Sequence, residues 1–120
     1  MLLRVLKTTG ALATIGSGLV LVLKPRSVSG FTGLDPASPR GITEVRSAMG
    51  GLFTALGIAP LVYRSDAMYR ALGLGYLAIA AVRAVSMLVD RSWNQRSNWL
   101  SLGFEAVFGW IMLRPVRVSE

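Results

Sequence analysis

The sequence predicts an all-α membrane protein, a four-transmembrane-helix up-and-down bundle forming one domain over residues 1–120. Three observations lead there. The chain is 52% apolar with a mean hydropathy of +0.53, too hydrophobic for a soluble domain of 120 residues. Its apolar residues fall in runs separated by polar connections rich in Pro, Gly and Ser. Only 16% of residues are charged, and they sit mostly between those runs. The 13 Lys and Arg produce a net charge of +7, and as flanks of apolar runs they match anionic headgroups better than nucleic acid. The lipid bilayer is therefore the expected partner. There is no Cys and no His, which removes disulfides, thiolate chemistry, imidazole bases and the usual zinc and haem ligands. No catalytic residue, metal or cofactor is implied, and an enzyme is not expected.

The expected helices cover about 3–24, 39–63, 66–90 and 98–114, with a loop over 25–38. In the first, the run Thr8 to Leu23 is extended by Leu2, Leu3, Val5 and Leu6, while Arg4, Lys7 and Lys24 snorkel to the headgroups. A signal peptide competes for this segment, with Arg4 and Lys7 as its basic head and Ser27-Val28-Ser29 as a small-residue exit. Gly10, Thr14 and Gly18 make a stripe suited to close helix contact. Pro25, Pro36, Gly30 and Gly33 then forbid a continuous helix, and Asp35 is placed for an Asx-turn before Pro36.

Ser38-Pro39 reads as an N-cap with Pro at the first helical position. Along the second helix Ser47, Gly50, Thr54 and Gly57 share a face, and Pro60 is placed to kink the far end. Ser65 is the expected cap of the third helix, whose Ala71, Gly73, Gly75, Ala78, Ala80, Ala81 and Ala84 suit a central position in a bundle. Trp93, Trp99 and Trp110 read as interfacial anchors around the fourth. An even number of crossings puts both termini on one side. Arg4, Lys7, Arg64, Arg70, Arg114 and Arg117 make six basic residues there, against five in Lys24, Arg26, Arg40, Arg91 and Arg96, which favours cytoplasmic termini.

Four charges fall inside the apolar runs: Glu44, Arg46, Arg83 and Glu105. Measured from one membrane face, Glu44 lies ~9 Å deep and Arg83 and Glu105 ~10 Å, at ~1.5 Å per residue. The bundle would bring them to one level with Arg46 slightly deeper, and their charges cancel. An unpaired charge near mid-bilayer costs ~2.5 to 3.5 kcal/mol, so these residues should face inward and pair. Two uses are open: an ion-pair network that fixes helix register, or a polar ligand-binding pocket to whose lining Tyr76 and Ser86 could contribute.

Phe31-Thr32-Gly33 with Asp35, then Pro39-Arg40-Gly41, Glu44, Arg46 and Gly50-Gly51, followed by Arg83 and Glu105, resembles the small bacterial four-helix membrane proteins classified as a domain of unknown function. The likeness spans nearly everything after the first helix. Ala37-Ser38 stands where Asn often precedes Pro, and Met49 where an aromatic often precedes Gly-Gly. What the resemblance implies is a bacterial inner-membrane protein without an assigned activity, and a more distant similarity, at the level of fold, to DoxX-like membrane proteins. The first functional expectation is a non-enzymatic accessory or assembly subunit packing against other membrane subunits or copies of itself. The alternative is a ligand-binding or transport protein, quinone- or lipid-related, built on Glu44, Arg46, Arg83 and Glu105. Small multidrug transporters are of similar size but carry their working carboxylate in the first helix, where this chain has none.

Overall fold

In a computed structural model the protein is described over residues 1–116, and Arg117 of the basic flank lies outside them. The described residues are helical, with no strand. Helix α1 covers Leu2–Leu23, a single turn α2 covers Ser29–Thr32, and α3 covers Pro39–Glu44. A π-helical segment, Val45–Gly51, carries α3 directly into α4, Leu52–Tyr63; α5 covers Asp66–Val89 and α6 covers Arg96–Leu113.

Three stretches are long and apolar enough to cross a membrane: Leu2–Leu23, the continuous Pro39–Tyr63, and Asp66–Val89. Helix α6 is not among them, because Arg96, Asn98, Ser101 and Glu105 dilute its 18 residues. Large apolar side chains stand on the outside of every long helix, among them Leu19, Ile58, Leu74, Val85, Leu88 and Val107. Water would penalise such a surface and hydrocarbon does not.

The chain forms two compact units, one of Thr8–Arg64 and one joining Met1–Lys7 to the chain from Ser65 onward. In the first, Ser38 caps α3 as its sequence predicts, its hydroxyl accepting from the Gly41 amide at 3.1 Å with Pro39 next to it. The expected loop over 25–38 contains the α2 turn, closed by Gly33 at φ 71°, a left-handed conformation that Gly adopts without steric cost. Asp35 meets Arg26 at 3.9 Å, with both side chains exposed. Helix α1 packs on the second span through small residues. A Cβ on Gly18 would strike Thr54, one on Gly57 would lie 2.7 Å from the Ala11 carbonyl oxygen, and one on Gly50 would lie 3.0 Å from the Val22 nitrogen. The backbones therefore touch. Pro60 is buried and the helix continues past it to Tyr63.

In the second unit α5 and α6 form an antiparallel pair that closes on Gly73 and Gly109. A Cβ on Gly73 would lie 2.8 Å from the Gly109 carbonyl oxygen, and one on Gly109 would lie 3.0 Å from that of Gly73. Around this contact Leu72, Tyr76 and Met112 form a buried cluster flanked by Tyr69 and Phe108. Ser65 occupies the cap position of α5 in extended backbone, but its side chain makes no capping hydrogen bond, which corrects the expectation for it. Ala71, Ala78, Ala81 and Ala84 are exposed instead of centrally packed; only Gly73 and Ala80 of the seven small residues expected inside are buried.

Gly18→Val should lower thermal stability in detergent by ~1 to 3 kcal/mol, because the new side chain meets backbone as well as the Thr54 hydroxyl. Gly75→Ala should hold or raise it, since nothing lies within 4 Å of the added methyl and Ala favours helix by ~1 kcal/mol.

Candidate functional site

Arg83 on α5 and Glu105 on α6 meet as the sequence predicts. The Arg83 Nε donates to both carboxylate oxygens, at 3.1 and 2.8 Å, and Nη2 donates to Oε1 at 2.7 Å. This is a two-pronged, side-on fork, the strong geometry for a guanidinium and a carboxylate. Glu105 is 7% exposed, and the Arg83 guanidinium offsets the cost of burying its carboxylate. Arg83 Nη1 donates to the Asn98 Oδ1 at 3.2 Å, and the Asn98 amide in turn donates to the Ser92 carbonyl and hydroxyl at 3.2 and 3.1 Å. A polar chain thus leads from Glu105 through Arg83 and Asn98 to the connection between the helices.

Beside this chain lies an open cavity of about 530 Å³, within the ~300–1,000 Å³ range of small-molecule sites. Ala78, Ile79, Val82 and Met87 supply apolar wall; Arg83, Ser86, Asp90, Ser92 and Asn98 supply the polar part. Helical spacing explains the selection from α5: Ile79, Val82, Arg83 and Ser86 recur at three- and four-residue intervals and share a face, and Asp90 follows directly at the end of the helix. Ser86 lines the cavity as expected. Tyr76 does not: its ring is buried in the core, edge-on to Phe104 with centroids 5.9 Å apart, because position 76 turns toward Leu72 and Met112.

Glu44 and Arg46 belong to the other unit, and each has a partner within it. Glu44 pairs with Arg40 one turn earlier, at 2.6 Å, with its side chain half exposed. Arg46 donates to the Val22 carbonyl at 2.6 Å, satisfying one of the last acceptors of α1. Lys7 corrects the snorkelling expectation outright. It is 1% exposed, and its ammonium donates to Asp66 Oδ1 at 2.8 Å and to the Arg114 carbonyl at 2.5 Å, near the Tyr69 ring at 5.3 Å from its centroid. Trp93, Trp99 and Trp110 are exposed; Trp99 donates to the Trp93 carbonyl, and the Arg114 guanidinium lies 3.8 Å from the Trp110 ring centroid.

Asn98, Ser92 and Asp90 are the site residues that charge-based reading missed. Asn98 carried a signal: it precedes Glu105 by seven residues, which puts both on one face of α6. Glu105→Gln should destabilise the detergent-purified protein by roughly 3 to 5 kcal/mol, because it leaves the Arg83 charge without its counter-ion. Adding Arg83→Gln should restore part of that loss in thermal unfolding, since two amides can hydrogen-bond without either carrying charge.

No curated protein and no solved structure matches the sequence. A family model does, over residues 2–114, a span that takes in both units, the Arg83–Glu105 pair and the whole cavity wall. The chain therefore belongs to the family described as a domain of unknown function, DUF4345.

Proposed function

We propose that this is a non-enzymatic integral membrane protein of four crossings that binds a small, membrane-dissolved molecule in the cavity beside Arg83. The observation that carries the reading is the cavity itself: one wall is apolar, and a buried ion pair holds a cationic group at the other. Ala78 and Val82, both exposed, form its outer edge, so an apolar molecule has a path in from the hydrocarbon.

Helix α6 supplies the fourth crossing. Its 18 residues span ~27 Å, close to the ~30 Å of a bilayer core. Trp93 and Trp99 at one end and Trp110 with Arg114 at the other are placed as interfacial belts. The membrane is proposed to be a bacterial inner membrane with cytoplasmic termini, from the family resemblance and the distribution of basic residues.

A second reading, an accessory subunit docked to other membrane helices or to its own copy, is favoured by one feature. Ala71, Gly75 and Ala78 lie at helical spacing on α5, Ala71 and Ala78 are exposed, and nothing lies within 4 Å of a methyl built on Gly75. Under that reading Gly75→Leu should dissociate a natively purified assembly seen by mass spectrometry. Under the first, the lipid extract of the wild-type protein should contain a small molecule that Ala78→Phe loses at unchanged thermal stability. An extract indistinguishable between the two proteins would overturn the binding reading. For the topology, cysteines at positions 27 and 92 should label from one side of the membrane and one at 65 from the other; any other partition removes a crossing.

A further inference from the structure

The structure assigns a chemical class to the occupant of the cavity: a neutral, largely hydrocarbon molecule that offers a carbonyl oxygen to the outer edge of Arg83. The assignment rests on the binding reading above and adds the ligand chemistry to it.

A guanidinium carries five N–H donors in a planar fork. Arg83 commits Nε and one Nη2 hydrogen to Glu105 and one Nη1 hydrogen to Asn98. Among the described residues the remaining hydrogen on each terminal nitrogen has no acceptor. Because Glu105 takes the side-on edge, the free Nη2 hydrogen belongs to the outer end of the group, and Arg83 lines the cavity with its side chain 30% exposed. Hydrocarbon cannot accept those hydrogens, so an acceptor from the occupant is the available complement.

Charge then narrows the acceptor. Glu105 neutralises Arg83, and Asp90 adds a second carboxylate to the cavity lining, so the formal balance of these three groups is negative. A phosphate or carboxylate would face Asp90, and among the described residues lining the cavity no second cation offsets it. An ammonium would meet N–H donors aimed at it. A carbonyl accepts through lone pairs and carries no net charge, which satisfies both conditions. Ala78, Ile79, Val82 and Met87 complete the match by offering the rest of the molecule an apolar bed. The carbonyl can come from the ester of a bilayer lipid or from a free, lipid-soluble ketone.

The test uses the full chain in nanodiscs made of ether phospholipid, so that the host lipid brings no carbonyl. Three probes are compared: dioleoylglycerol, the dialkyl ether of glycerol with the same chains, and a long-chain dialkyl ketone, the carbonyl compounds carrying a carbon-13 label. At least one carbonyl probe should bind tenfold or more tightly than the ether, the worth of one hydrogen bond to a charged donor. Its labelled carbonyl stretch should move to lower frequency on binding. Both effects should vanish in the Arg83→Leu/Glu105→Leu double variant, which keeps the two charges balanced and leaves no N–H donor in either side chain. Ala78→Phe, which fills the cavity and leaves the ion pair alone, should abolish binding while unfolding at the wild-type temperature. Preference for the ester names a bilayer lipid as the source, and preference for the ketone names a free molecule; either upholds the class. Equal binding of the ether, or a carbonyl shift that survives in the double variant, overturns it. So does failure of every probe. In that case a non-carbonyl molecule lost from the Ala78→Phe extract would leave the binding reading standing, and an extract with no such molecule would remove that reading as well.

Discussion

A guanidinium and a carboxylate buried between two helices each need the other's charge, and this requirement governs how α5 and α6 meet. The pair sits ten residues along α5 from Gly73, where the two backbones touch. At ~1.5 Å per residue that is ~15 Å along α5, against ~6 Å for the four residues from Glu105 to Gly109 on α6, so the Arg83 and Glu105 side chains reach along the helices to meet. Two fixed points determine the axial register of an antiparallel helix pair more firmly than either alone. A slide of one turn would take Gly109 off Gly73. Apolar packing between them, of Leu72, Tyr76 and Met112, tolerates small shifts; a buried charge does not.

Lys7 imposes a similar constraint at the opposite end of the same unit. A fully buried ammonium has three hydrogens to place, and the Asp66 carboxylate and the Arg114 carbonyl each take one. Asp66 is also the first residue of α5, where a carboxylate is favoured by the helix dipole, while the Arg114 carbonyl is among the acceptors left over as α6 ends. One cation therefore satisfies the start of one helix and the end of the next. That is why a lysine near an apolar run, which sequence alone places at the headgroups, is drawn inside.

Long apolar runs and Pro-Gly punctuation made the helices legible, and boundaries came within about two residues because Ser38-Pro39 and Arg64-Ser65 are local signals. The pairing of Arg83 with Glu105 was legible because both are too deep to reach water and their depths match. Depth alone assigns Glu44 a distant partner for the same reason, yet Arg40 lies four residues before it on the same helix and the Glu44 side chain is half exposed. A local pair at that spacing is visible in sequence, and depth alone gave it too little weight. Arg46 was not legible, since its acceptor is a backbone carbonyl that exists only once α1 has ended. The π-helical stretch Val45–Gly51 has no periodic signature in seven residues either. Its effect appears only in three dimensions, where Gly50 lies against Val22.

A structural ion pair and a binding site are usually treated as alternatives, and the geometry at Arg83 shows why they need not be. Had Glu105 engaged the two terminal nitrogens end-on, the donors facing the cavity would have been consumed and only a sealed register lock would remain. Side-on engagement uses Nε and a single hydrogen of Nη2, holds the guanidinium plane in place, and leaves the outer edge available. Asn98 steadies that plane from Nη1 without completing it. In the proposed site the carboxylate would act on a bound molecule through Arg83: it fixes the orientation of the guanidinium and offsets the charge that would otherwise select an anion. Under the proposed binding, stability is supplied by one edge of the group and recognition by the other.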